Sequence, residues 1–145
     1  LYAAAGIHSG LPYGAAHDVQ SAFAAMRGDI RRRSRPKGSM PRLIVFHGTS
    51  DATVAPRNAA ILMAEAQEAF PAARPITRSF KAGASSVEHT ELRGPNGSVQ
   101  AESWMIAGAG HYWSGGDTAG SYAKAEGPAA SREMMRFFLE RPLET

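Results

Sequence analysis

Leu43-Ile-Val-Phe-His-Gly48 is apolar at every position up to its histidine and then stops at a glycine. A strand with one wet face alternates apolar and polar residues, whereas one covered on both faces has no reason to. LIVFHG therefore reads as a central strand of a parallel sheet with helices above and below. The residues that follow agree. A short loop, TSDATVAP, leads into PRNAAILMAEAQEAF, Pro56 to Phe70. There Ile61, Leu62, Ala66, Ala69 and Phe70 form an apolar stripe at helical spacing, and Pro56 sits in the first turn, where its missing N–H is not needed. Strand, short loop and helix in succession indicate an α/β architecture.

Upstream, Leu1 to His8 (LYAAAGIH) is short and apolar and breaks at SGLPYG, the pattern of a buried strand and its loop. Asp18 is an N-cap candidate for a helix reaching Met26, with Val19, Phe23 and Met26 at helical spacing. Downstream, SVEHTEL (86–92) and VQAESWMI (99–106) both alternate around an Asn96-Gly97 turn, which predicts a hairpin. Ala129 to Glu140 closes the chain as an amphipathic helix with Met134, Met135, Phe138 and Leu139 expected inward. The expected sheet has two parallel strands plus a hairpin. No internal repeat or domain boundary interrupts the chain, and 145 residues suit one domain.

Composition narrows the classes. With 43% apolar and 20% charged residues the chain is an ordinary globular protein, not a disordered segment. No apolar run reaches bilayer length, so no membrane partner is expected. The absence of cysteine removes disulfide and thiolate chemistry. The chain opens LYAAAGIHSG, without an initiator Met, a basic n-region or a cleavage-site pattern. The formal charge of +3 is concentrated in RGDIRRRSRPKG, where Arg27, Arg31, Arg32, Arg33, Arg35 and Lys37 fall close together. Such a cluster can grip phosphates. Lacking any aromatic for stacking and lying among Gly, Ser and Pro, it reads rather as a solvated loop, with no nucleic-acid partner.

Ligands of open α/β sheets bind at the carboxyl ends of the strands. Three loops leave such ends here: HSGLPYG (8–14), HGTSDATV (47–54) and GAGHYWSGG (108–116). An acid after one strand followed by a histidine after a later one matches the chain order nucleophile, Asp, His of an α/β-hydrolase triad. The histidine would move a proton, and the acid would hold its tautomer and stabilise the imidazolium. Glycines around His111 would let its loop turn sharply.

At these loops the chain resembles the secreted esterases that include short-chain polyhydroxybutyrate depolymerases, feruloyl esterases and acetylxylan esterases. The similar segments are AGIHSGLPYGAA, VFHGTSDATVAPRNA, GAGHYWSGG and GPAASREMMRFFL, in the family's order and spanning most of the chain. The polyhydroxybutyrate depolymerases, which share HSGLPYG and GHxWSGG, are the nearest group. The resemblance implies an α/β-hydrolase sheet with flanking helices, Asp51 as triad acid, His111 as triad base, an ester or polyester substrate, no cofactor, and secretion. One departure stands out. The family's nucleophile is the serine of a G-x-S-x-G elbow, and no serine here has that frame. Ser9 is flanked by Ile7 and Leu11, Ser50 by Gly48 and Ala52, Ser85 by Gly83 and Val87, and Ser114 is preceded by Tyr112. Residues 1–145 thus look like the C-terminal part of a single catalytic domain, with the elbow and oxyanion loop expected upstream. This part alone is expected to be inactive, with an apolar edge at its first strand.

Other readings stay open at this point. In one, His111 is a loop residue stacked on Trp113; in another, Asp51 caps the helix near Pro56. Tyr13 and Trp113 are candidates for binding substrate and equally for the core. His47 and His8, each ending an apolar strand, read as packing residues, and His17 and His89 carry no signal. His8, His47, Asp51 and His111 would suit zinc chemically but lack a helical zinc-motif spacing, so no metal is expected. The alternative function is a non-catalytic α/β domain that binds a partner through the basic loop 27–37.

Overall fold

The computed structural model describes residues 2–30 and 40–140, so residues 31–37 of the basic loop lie outside the described residues. In chain order the elements are β1 (Ala4–His8), α1 (Val19–Met26), β2 (Arg42–Gly48), α2 (Arg57–Ala69), β3 (Arg74–Ala82), β4 (Ser85–Arg93), β5 (Val99–Ile106), β6 (Trp113–Ser114), β7 (Ala123–Lys124) and α3 (Ala130–Leu139). Five strands form one mixed sheet in the order β1-β2-β5-β4-β3, and β6 pairs with β7 separately. This is an α/β protein.

All seven residues of β2 are buried, as continuous apolarity demands. The strand's period of two sends its side chains to opposite faces. Leu43 and Val45 join Ala59, Leu62 and Ala66 of α2. Ile44 and Phe46 join Trp104 of β5 and Ala130, Met134 and Phe137 of α3. The two helices thus cover the two faces of one strand. Arg42, at the start of β2, fixes α3 in place: its guanidinium donates to the carbonyls of Phe137 and Glu140 and lies 4.4 Å from the Phe137 ring centroid. A cation at a helix C-terminus meets unpaired carbonyls and the negative end of the helix dipole.

Several sequence expectations need correction. The sheet holds three parallel strands, not two, because β5 leaves its hairpin partner β4 on one side and pairs parallel to β2 on the other. β3, which the sequence reading passed over, pairs antiparallel with β4 across a turn at Gly83. β1 is a partly buried edge strand, not a fully buried one. In α3 the inward residues are Ala130, Met134 and Phe137, whereas Met135, Phe138 and Leu139 are exposed. The two apolar faces of that helix differ by one residue of rotation, and only the first meets Ile44 and Phe46. In α1, Val19 and Phe23 are likewise exposed, and Ala25 is the buried residue. Asp18 does cap α1: its carboxylate accepts the Ser21 amide at 2.7 Å in a capping box.

Candidate active site

β2 and β5 run parallel with Gly48 opposite Ile106, so their following loops leave the sheet side by side. A Cβ on Gly48 would stand 2.2 Å from the Ala109 carbonyl oxygen. Only glycine lets the two backbones come so close. Gly108, with φ of +71°, then turns the second loop across the first. The Ser50 amide donates to Ala109 O at 2.9 Å, and the Gly108 amide donates to Thr49 Oγ1 at 2.9 Å.

These bonds bring two residues 60 apart in the chain into contact: His111 Nδ1 lies 2.9 Å from Asp51 Oδ2. The carboxylate can only accept, so the hydrogen is on Nδ1. The Asp51 side chain is fully buried, whereas the imidazole is 33% exposed. The other carboxylate oxygen, Oδ1, accepts the Thr53 and Val54 amides, both at 2.9 Å. Burial by itself would raise the Asp51 pKa. The amides of Val54 and Thr53 and the His111 side chain outweigh it and hold the group below the usual carboxylate value. Asp51 therefore organises its own loop and is not the cap of α2, whose N-cap, Pro56, has no side-chain bond.

Two further histidines close the site from below. His47 is completely buried, with Nε2 2.9 Å from Val54 O and 3.6 Å from Asp51 Oδ2. His8, at the end of β1, accepts the Ser114 amide on Nε2 at 3.1 Å and places Nδ1 3.3 Å from Ser9 Oγ. Its ring, and not that of His111, stacks on Trp113, with centroids 4.9 Å apart. Burial, then the neighbouring His47 and His111, push the His8 pKa down to about 4 against the pull of Asp51. A neutral His8 is the form that can accept the Ser114 amide.

Of the proposed substrate-binding residues, Tyr13 is 74% exposed in its loop. Trp113 is half-buried and donates its Nε1–H to Ser131 Oγ at 3.1 Å. Neither lines the two concavities of about 450 and 270 Å³ found among the described residues at the α2 terminus and beside α3.

A second histidine–carboxylate pair escaped the sequence reading. His89 Nε2 lies 3.2 Å from Glu102 Oε2, which also accepts from Trp104 Nε1 at 3.0 Å and Arg136 Nη2 at 2.7 Å. Burial would raise the Glu102 pKa, but these three donors lower it below the usual value. A signal was present. Glu102 stands at a position where the alternation of VQAESWMI points inward, and a carboxylate there needs partners. With Glu91, these residues form the set of metal-capable groups, among the described residues, whose ligand atoms lie within 4.8 Å of one another. They do not fit a cation, because Arg136 already sits on the shared oxygen and Arg93 on Glu91. His8, His47, Asp51 and His111 are not gathered at that spacing.

No protein-family model matches the chain, and a search of the curated proteins finds no match.

Proposed function

We propose that this chain carries the acid and base of a serine carboxylic-ester hydrolase with an α/β-hydrolase fold, of the polyhydroxybutyrate depolymerase type, and that its nucleophile lies on a segment outside these residues. The observation that carries this reading is the 2.9 Å bond between His111 Nδ1 and a fully buried Asp51 at the carboxyl ends of parallel strands. The resemblance of the loops HSGLPYG, HGTSDATV and GAGHYWSGG to those esterases supports it.

The chemistry follows from the tautomer. With its hydrogen on Nδ1, His111 offers a bare Nε2 as general base. That nitrogen takes the hydroxyl proton as the serine oxygen adds to the ester carbonyl carbon. Asp51 stabilises the resulting imidazolium. When the tetrahedral intermediate collapses, the carbon–oxygen bond to the leaving group breaks, and Nε2 returns the proton to the departing alcohol. Water then attacks the acyl-enzyme by the same route and frees the acid. No cofactor takes part, and the partners are an ester or polyester and the upstream part of the same domain. Secretion belongs to the same reading.

The test is hydrolysis of short p-nitrophenyl esters by the full-length protein bearing the G-x-S-x-G segment. Turnover that collapses in His111→Ala supports the proposal. Undiminished turnover in that variant ends it.

A further inference from the structure

The apolar run LIVF is followed by His47, where the preceding residues would lead one to expect another apolar side chain. His47 is fully buried, and its Nδ1 has no hydrogen-bond partner. A leucine or phenylalanine would fill such a place without that desolvated nitrogen. What the imidazole does have is on its other side. Val54 O can only accept, so the hydrogen of His47 is on Nε2, 2.9 Å from that carbonyl. Asp51 Oδ2 lies 3.6 Å from the same nitrogen, beyond hydrogen-bond reach. Val54 in turn donates its amide to Asp51 Oδ1. One peptide unit is thus held at its carbonyl by His47 while its amide holds the acid.

Resting on the reading of Asp51 and His111 as triad acid and base, we infer that His47 is a positioning residue for Asp51. Its Nε2–H fixes the Val54 peptide, and the amide of that residue holds Oδ1, so that the carboxylate meets His111 in a single arrangement. His47 reaches no substrate; it acts through the acid. A residue that merely fills space is replaceable by any side chain of equal volume. A positioning residue is replaceable only by one that keeps the donor.

Nitrogen-15 NMR of histidine-labelled protein reads this directly and needs no turnover. The His111 Nδ1–H, bonded to a carboxylate, should give a protected downfield resonance. In His47→Phe, which keeps the bulk and loses the donor, exchange of that proton with water should quicken at least tenfold or the resonance should vanish. His47→Gln, which returns an N–H at similar reach, should restore it. A folded His47→Phe protein with an unchanged His111 resonance overturns the inference. If the variants fail to fold, the wild-type protein still decides: His47 must carry its hydrogen on Nε2, and a hydrogen on Nδ1 alone overturns the inference. Asp51→Asn separates the two levels. A His111 resonance that survives there removes the acid–base pair itself, whereas its loss in Asp51→Asn but not in His47→Phe removes only the role of His47.

Discussion

Two histidine–carboxylate pairs of similar length behave as opposites. In the first, Asp51 gives one oxygen to His111 and the other to backbone amides, and the imidazole keeps a nitrogen free at a ring one-third exposed. In the second, a single oxygen of Glu102 receives His89, Trp104 and Arg136, and everything around it is buried or tied to an arginine. Arg136 is itself held by Glu133 and Glu140. Against the effect of burial, Glu102 first and then Glu133 and Glu140 raise the pKa of its guanidinium, which is a permanent cation. A carboxylate already neutralised by a fixed charge has nothing left with which to stabilise a proton that comes and goes. The contact distance alone does not say which pair is suited to proton transfer and which to a structural ion pair. The rest of the carboxylate's partners do.

This contrast can be broken from either side. On the proposed reading, the largest effect is expected from Asp51→Asn in the full-length protein: turnover of p-nitrophenyl esters should fall about 10⁴-fold, with the fold kept. Steady-state kinetics beside a thermal melt would check both halves. Glu102→Gln should do the reverse. Removing the charge weakens the three hydrogen bonds that meet at one buried oxygen, and about 2 kcal/mol of stability should go. Urea titration would measure it, and the His111 resonance should not move. A Glu102 variant that kept its stability would mean that the second pair does not hold the sheet.

A further expected effect concerns pH. The His8 pKa falls from 6.5, its ordinary value, to about 4 in the folded chain. Between these values the unfolded chain binds more protons than the folded one, so stability rises with pH across that window. His8 therefore opposes unfolding fully above about pH 6.5 and progressively less as pH falls toward 4. Asp51 and Glu102, both lowered, lose their contribution at still more acid pH. In His8→Phe, melts at graded pH should show a flatter slope above the carboxylate range. An unchanged slope would reassign that titration to another group.

Much of this was legible in the sequence for identifiable reasons. β2 announced itself because a strand covered on both faces must be apolar throughout, and the β4–β5 hairpin because Asn96-Gly97 suits its turn. Asp51 and His111 could be picked out because each sits in a loop that leaves the carboxyl end of a strand the pattern predicts. β3 could not be read so easily. Its residues, RPITRSFKA, are nearly all exposed, and only the β4 ladder holds them. The inward faces of α1 and α3 were misjudged because both helices carry more apolar residues than their neighbours cover. Pattern shows that a helix is amphipathic, but the packing partner decides which residues point in. The Glu102 network went unread because its members come from β4, β5 and α3, which no local pattern connects.

The strand order has a kinetic consequence. β5 comes last of the five strands in the chain yet lies in the middle of the sheet. Until it inserts, β1–β2 and β3–β4 are separate pieces with no shared ladder, and the loops carrying Asp51 and His111 have no fixed relation. Closing so distant a contact is slow, because chain entropy must be lost before any bond forms. The contact between Asp51 and His111 should therefore form only once β5 has inserted, so that a half-assembled chain, however collapsed, holds these two side chains apart.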